Sequence, residues 1–157
     1  MGGFMRLELI HPMLIHFPIA LLLTGAALKA AAFFFRHSKS YGALVFSARL
    51  ILCLGVLFAW AAVFAGHLAS HIIEKSLCFP LVLDYHSLLG HTAAILFTIG
   101  VLCDGARIWT KKRSFNKALM VGSSLLFMVG AGILLMTAAF GGSLVYDQGA
   151  AVETRCK

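Results

Sequence analysis

The sequence carries little charge for its length. Of its 157 residues, 12% are Asp, Glu, Lys or Arg and only six are acidic, whereas about a quarter of a typical soluble domain is charged. Hydrophobic residues make up 61% of the chain. So few charges cannot cover a surface that faces water. The composition therefore excludes an ordinary soluble domain and predicts an integral membrane protein.

The motifs of several functional classes are also missing. The four cysteines form neither C-x-x-C nor C-x-x-C-H, which argues against a structural zinc site and excludes covalently attached c-type haem. We find no phosphate-binding loop, no paired catalytic carboxylates and no nucleophile beside a base, and we expect no independent enzymatic activity. The N-terminal residues lack the cleavage site of a removable signal peptide.

Four apolar stretches account for most of the chain. They predict spanning helices at about residues 14–36, 43–70, 86–108 and 117–141, since about 20 apolar residues cross a bilayer. Strands are excluded because no stretch shows the alternation of a transmembrane barrel. The predicted fold class is an all-α integral membrane four-helix bundle, a single domain over residues 1–157. Pro12 and Pro18 precede or open the first helix.

Small residues inside the predicted spans indicate close helix packing. Glycine occupies positions 25, 55, 100, 122, 130 and 132. We expect Gly122, Gly130 and Gly132 to make the fourth span a packing partner. Cys53 and Cys103 are predicted to be buried thiols. Cys78 and Cys156 are candidates for a disulfide, with two free thiols as the alternative.

The basic residues predict the orientation of the bundle. Nine of the 13 Lys and Arg residues lie in or beside the first and third loops. They are Lys29, Arg36, Lys39, Arg49, Arg107, Lys111, Lys112, Arg113 and Lys117. By the positive-inside rule, we expect both termini and the central loop to face outward, toward the periplasm or the cell exterior. The net charge of +7 is explained by these loops, so we expect no nucleic-acid partner.

Six of the seven histidines lie at the predicted outer ends of the helices. They are His11, His16, His67, His71, His86 and His91, whereas His37 lies in a basic loop. Ionisable residues at membrane depth are costly and usually functional, and neutral imidazole is a common metal ligand. The set predicts a metal or haem site, and the competing interpretation is a group of interfacial polar side chains.

The spacing of the histidines restricts which of them can share a ligand. His67 and His71 are four residues apart and share one helical face. His86 and His91 are five apart, about 140° around a regular helix, so they cannot both serve one ligand. We expect one of these two to enter the bundle.

A non-covalent b-type haem is the cofactor that best suits this set, because it needs two axial histidines on facing helices. We favour His16 with His91 or His86 as axial ligands. His67 and His71 would serve a second haem or support the first. The glycines expected to leave room for the porphyrin are Gly66, Gly90, Gly141 and Gly142. The aromatic residues expected to line it are Phe17, Phe64, Tyr85, Phe97, Phe140 and Tyr146.

Two motifs resemble a bacterial four-helix membrane family of unknown function. The opening H-P-x-x-x-H-F-P spans His11 to Pro18, and the closing G-G-x-L-V-Y-x-x-G-x-x-V spans Gly141 to Val152. The resemblance covers His11 to Val152. It implies a redox accessory, since the family's domain occurs fused to c-type cytochrome or Rieske iron–sulfur modules. It also implies electron transfer at the outer face.

The family pattern can be carried over to individual residues. The opening signature matches His11, Pro12, His16, Phe17 and Pro18, and the closing signature matches Gly141, Gly142, Tyr146 and Gly149. His86 matches the histidine that begins the family's third helix. His67, His71 and His91 are additions to that pattern, which leaves the number of haems open at one or two. No fused redox module is recognisable, so we expect any electron partner to be a separate protein.

Three functional hypotheses follow from the sequence. The first is a b-haem protein that passes electrons between quinol and a periplasmic cytochrome or larger redox complex. The second is a copper- or zinc-binding membrane protein that uses the outer histidines and the methionines. The third is a cofactor-free structural subunit of a membrane complex. Lipid is a partner in all three, and a second copy of the chain is a further candidate partner.

Overall fold

The chain folds into a bundle of four long helices in this computed structural model. The structure describes residues 7–152, with the backbone alone for Leu7 and Ser76. A 3-10 turn (Leu7–Leu9) and a short helix α1 (Ile10–Leu14) precede α2 (His16–Phe34). Helix α3 is Tyr41–Ile73, α4 is Pro80–Ala106 and α5 is Arg113–Tyr146, with a 3-10 turn at Glu74–Ser76. No strand occurs within residues 7–152.

The bundle carries the features of a membrane-spanning protein. The segments Ile10–Phe34, Tyr41–Ile73, Pro80–Ala106 and Arg113–Tyr146 are each long and apolar enough to cross a bilayer. Large apolar side chains cover the outside of the bundle, among them Phe46, Leu57, Phe64, Leu102 and Met128. Such a surface is suited to contact with lipid.

Helices α3 and α5 extend beyond both ends of their predicted spans. Helices α3 and α5 have 33 and 34 residues, about 50 Å at 1.5 Å per residue, which exceeds a bilayer core of about 30 Å. Both helices continue past the predicted span through polar residues such as His71 and Arg113. Hydropathy predicts only the part of a helix that lies in the hydrocarbon core. The helix itself continues beyond that part, so the predicted spans are shorter than the helices.

Pro18 removes one backbone hydrogen bond from the first span. Pro18 lies in the first turn of α2, where it has no N–H to donate to the carbonyl of Leu14. Pro12 lies within α1. Ile15, between α1 and α2, keeps helical backbone angles; its N–H donates to the carbonyl of His11, and its carbonyl accepts from the N–H of Ile19. The segment that carries His11 is therefore continuous with the rest of the first span, Ile10–Phe34.

Two antiparallel hairpins build the bundle. Helix α2 packs most extensively on α3 and α4 on α5, and contacts of α3 with α4 and of α2 with α5 close the ring. One end contains α1, the connection from α3 to α4 and the end of α5, and we call it the histidine end. The other contains the connections from α2 to α3 and from α4 to α5, and we call it the basic end.

Each hairpin is held by two glycines that receive a large side chain of the facing helix. A Cβ at Gly25 would lie 2.6 Å from Leu52 Cγ, and one at Gly55 would lie 2.6 Å from Leu22 Cδ2. In the second hairpin, a Cβ at Gly100 would lie 2.5 Å from Phe127 Cε1, and one at Gly130 would lie 3.0 Å from Phe97 Cε2. All four large side chains are fully buried. Contacts this close require glycine.

The two hairpins repeat one pattern at a separation of 75 residues. The equivalent pairs are Leu22 and Phe97, Gly25 and Gly100, Leu52 and Phe127, and Gly55 and Gly130. Helices α2 and α4 both start at the histidine end, so the halves have the same direction. The bundle therefore has approximate twofold symmetry about its long axis, as in parallel-repeat membrane proteins.

Two expectations about residue placement are wrong. A Cβ at Gly122 or Gly132 would meet no atom of another helix within 4 Å. Of the three predicted glycines, only Gly130 is therefore a close packing position for α5. Cys53 is exposed on the outside of α3 rather than buried, and Cys103 is half-buried. Composition does not fix the rotation of a helix that is apolar on every side.

The glycine contacts can be tested by a matched pair of substitutions. Gly100→Ala should destabilise the protein by about 1–3 kcal/mol, because the new methyl group overlaps the buried Phe127 ring. Gly132→Ala should leave stability unchanged or raise it by about 0.5–1 kcal/mol, because its surroundings are open and alanine favours the helix. Unfolding in mixed detergent micelles, followed by circular dichroism, measures both. Equal effects at the two positions would contradict the packing.

Candidate functional site

A cavity of about 470 Å³ lies at the histidine end of the bundle. Its walls are mostly small or aliphatic and come from all four long helices, including Ala59, Ala62, Gly90 and Ala93. The glycine contacts nearer the middle of the bundle fix the distance between the helices, and the small residues above them leave the space unfilled. Its volume lies within the usual range of about 300–1,000 Å³ for small-molecule and cofactor sites.

The four glycines that we expected to leave room for a porphyrin line this cavity. Gly66, Gly90, Gly141 and Gly142 all contribute to its wall. Of the six aromatic residues expected to line the site, all within residues 7–152, only Tyr146 does so. Phe97 is buried against Phe127, and Phe17 and Tyr85 stack on the neighbouring rings of Phe58 and Phe140. The site is bounded by aliphatic rather than aromatic surface.

His11 and His86 each form a hydrogen bond to a backbone carbonyl of the partner helix in their own hairpin. His11 Nδ1 lies 2.8 Å from the carbonyl oxygen of Ala62, and His86 Nδ1 lies 3.0 Å from that of Thr137. A carbonyl oxygen can only accept, so each Nδ1 carries the proton and donates it. Each Nε2 then holds the lone pair and has no hydrogen bond to a described residue. Histidines that ligate metals are typically fixed in this way.

Glycine provides the space for each of these rings. A Cβ at Gly66 would lie 2.9 Å from His11 Nδ1, and one at Gly141 would lie 3.0 Å from His86 Cε1. Gly66 lies one turn beyond Ala62, and Gly141 lies one turn beyond Thr137. Each imidazole therefore lies over a glycine and donates to the carbonyl four residues earlier, the same arrangement in both hairpins.

The two imidazoles meet at the symmetry axis of the bundle. Their ring centroids are 5.9 Å apart and their planes are nearly perpendicular, at 88°. His11 and His86 are themselves equivalent positions, 75 residues apart. Equivalent residues can touch each other only beside the axis that relates them. The geometry therefore presents two similar imidazoles from opposite sides of one cavity.

The other outer histidines surround this pair at more exposed positions. His16 and His91 are equivalent to each other, line the cavity and are exposed, and His91 Nδ1 donates to the carbonyl of Ser87 on its own helix. His67 and His71 lie together on α3 with their Nε2 atoms 3.4 Å apart, and both are exposed. His67 also lines the cavity. His86, rather than His91, is the half-buried member of its pair.

The donor set suits a cofactor that needs two protein ligands. Within residues 7–152, no group of three or more His, Cys, Asp or Glu side chains is arranged to hold a metal ion. A metal–imidazole bond is about 2.0–2.1 Å, so the centroids of two rings on one ion are at most about 6.4 Å apart. Two rings on opposite sides of one ion lie near this limit, and the observed 5.9 Å is slightly shorter. His11 and His86 could therefore hold a group that takes two opposite ligands after a small outward shift.

Sequence reasoning missed the internal repeat, although the chain shows it. H-x-x-L-x-H occurs at residues 11–16 and again at 86–91, and each copy is followed by Leu and Gly at the same spacing. These residues are Leu21 and Gly25 in the first copy and Leu96 and Gly100 in the second. Comparison of the two halves would have paired His11 with His86 and His16 with His91.

The central loop is tied to the end of α5. Cys78 is disulfide-bonded, and Cys156, its predicted partner, lies outside the described residues. The backbone N–H of Phe79 donates to the buried side chain of Gln148 at 2.9 Å. Gly149, with φ 67°, turns the chain after α5. The loop and the end of α5 together fix the start of α4, and with it His86.

The protonation of the central pair can be measured directly. His11 and His86 should show the Nδ1–H form in long-range ¹⁵N–¹H spectra of the micelle-bound, ligand-free protein, because each Nδ1 donates to a carbonyl. His11→Gln and His86→Gln would assign the two signals. The exposed His37 serves as a control and should show averaging between the two forms. An Nε2–H form at both central positions would contradict the hydrogen bonds.

Comparison with known proteins places the chain in a family. No curated protein and no solved structure matches it. A family model described as "Predicted membrane protein (DUF2231)" matches residues 8–154, nearly the whole chain and all four helices of the bundle. The protein with this histidine-lined cavity therefore belongs to the DUF2231 family of predicted membrane proteins.

Proposed function

We propose that the protein binds one b-type haem between His11 and His86 and passes electrons at the periplasmic face of a bacterial inner membrane. The observation that carries the proposal is the pair of imidazoles 5.9 Å apart, each fixed through Nδ1 by a backbone carbonyl. The bound group would supply one-electron redox chemistry. The sequence predicts His16 with His91 or His86 as the ligands. The structure leads us to propose His11 and His86 instead.

The remaining residues of the site have roles that their positions suggest. Ala62 and Thr137 hold the ligand rings in one orientation through their carbonyl oxygens. The apolar wall excludes water and lowers the local polarity, which affects a redox potential. His16 and His91, exposed beside the cavity, are placed to contact propionate groups or an incoming electron partner. Quinol and a separate cytochrome or larger redox complex are the proposed partners.

The proposal can be tested with the full chain purified from a haem-supplied host. The wild type should show a Soret band, a sharp reduced α-band and about one iron per chain. His11→Ala and His86→Ala should each lower haem content by about tenfold or more, since even loss of a supporting partner can cost a ligand site this much. His16→Ala and His91→Ala are the matched controls and should keep the spectrum.

Three outcomes would overturn this assignment. Loss of the bands in the control variants, but not in His11→Ala or His86→Ala, would move the ligands to His16 and His91. Copper or zinc without porphyrin would favour the metal-handling alternative, which the neighbouring His67 and His71 imidazoles could serve. A colourless, metal-free protein with native helicity would favour a structural subunit.

The orientation can be tested separately. The disulfide at Cys78 supports placing the histidine end in an oxidising compartment, and the charge distribution supports the same placement. Alkaline phosphatase fused after Lys157 should be active in cells. The same reporter inserted in the connection between α4 and α5 should be inactive. The reverse pattern would contradict the proposed topology.

A further inference from the structure

A second, smaller cavity lies at the basic end, far from the six outer histidines. Its volume is about 100 Å³, and it lies between the end of α2, the start of α3 and the first turns of α5. Three cationic side chains line it, those of Lys29, Arg36 and Arg107. Tyr41 adds a phenol, and Phe33 and Val45 add apolar wall. The cavity thus combines positive charge with an apolar side.

The charges around this cavity do not balance. Asp104 is fully buried and has three cations around its carboxylate, at 2.5 Å from Lys29 Nζ, 2.7 Å from Arg49 Nε and 2.6 Å from Arg107 Nη1. The other acids of residues 7–152 lie at the histidine end, namely Glu8, Glu74, Asp84 and Asp147. Three cations against one carboxylate leave two positive charges uncompensated. Lys29 and Arg107 are only 6% and 12% exposed, so part of this excess positive charge is shielded from water and would be stabilised by a counter-anion.

Lys29 is buried and contacts one described acceptor, the carboxylate of Asp104. Its side chain is 6% exposed, and its ammonium nitrogen forms an ion pair with Asp104 Oδ1 at 2.5 Å, which leaves other N–H groups free to donate. A buried ammonium group has three N–H donors, and leaving them unpaired is costly. Because Lys29 also lines the cavity, an anion placed there would accept these hydrogen bonds.

Arg36 provides a further cation at the mouth of the cavity. It is exposed, lies over the ring of Phe33 at 5.9 Å and forms no ion pair with a described carboxylate. Arg107 already forms an ion pair with Asp104 and donates a hydrogen bond to Asn116 Oδ1 at 3.1 Å. The site therefore has the buried ammonium group of Lys29 at its base and the guanidinium of Arg36 at its rim, and both have N–H groups available for an anion.

We propose that this cavity binds the phosphate group of an anionic phospholipid. A phosphate offers several acceptor oxygens to Lys29, Arg36 and Arg107, and charge-assisted hydrogen bonds of this kind are strong. The source is lipid because the cavity lies where the spanning helices end and because its apolar wall can contact the glycerol and acyl regions. Basic pockets between spanning helices on the cytoplasmic side commonly hold anionic headgroups.

The test compares lipids added to the purified full chain in a neutral detergent. Phosphatidylglycerol should raise the melting temperature of the wild type, whereas phosphatidylcholine should not. Lys29→Met should weaken the phosphatidylglycerol effect by about tenfold or more in lipid concentration, because a charge-assisted contact is lost. Lys39→Met removes one positive charge from the same loop region outside the cavity and should respond like the wild type.

A second variant keeps the proposal testable if Lys29→Met does not fold. Arg36→Gln changes an exposed rim residue that does not contact Asp104, and it should also weaken the phosphatidylglycerol effect. Equal stabilisation of the wild type, Lys29→Met and Arg36→Gln would overturn the site. Equal protection by millimolar inorganic phosphate, without anionic lipid, would overturn the lipid assignment in favour of a soluble phosphate.

Discussion

Four contacts between a glycine and a large side chain set the spacing of the whole bundle. Leu22 and Leu52 lock the first hairpin, and Phe97 and Phe127 lock the second, each against a glycine of the facing helix. In lipid, helix association depends on this kind of close packing because apolar burial gives little advantage. Once the helices are fixed there, the small residues toward the histidine end cannot close the gap, and the 470 Å³ cavity results.

The approximate twofold symmetry explains why functional groups meet on the axis. Residues related by the 75-residue repeat touch at both ends of the bundle, His11 with His86 and Lys29 with Asp104. At the histidine end the equivalent residues are identical, which suits a ligand held by two similar groups. At the basic end they differ in sign, because two like charges beside the axis would repel each other. The same repeat thus brings His11 to His86 at one end and Lys29 to Asp104 at the other.

Much of the architecture could be predicted from the sequence. The four spans follow from hydropathy. The outer histidines lie at one end of the bundle because the chain crosses the membrane an even number of times between any two of their groups. Gly66, Gly90, Gly141 and Gly142, which the sequence predicts to leave room for a porphyrin, line the cavity. The sequence favours His16 over His11, but it does not show which of the two faces the neighbouring helices, because that depends on the rotation of each helix.

Other features depend on contacts that no local pattern reveals. Lys29 and Asp104 lie in different hairpins, so local spacing predicts the contact of Asp104 with its neighbour Arg107 but not its contacts with Lys29 and Arg49. Gly122 and Gly132 look identical to Gly130 in the sequence but face outward. Such distinctions depend on helix rotation, which a chain that is apolar on nearly every side does not encode in its hydrophobic pattern.

The central claim is that His11 and His86 jointly hold one ligand on the axis of the bundle. An experimental density map of the protein, purified from haem-supplied cells and frozen without added ligands, tests it most directly. The account predicts planar density between the two rings, joined to each Nε2 atom. Two rings separated by water or acyl chain, with no density joining them, would contradict it.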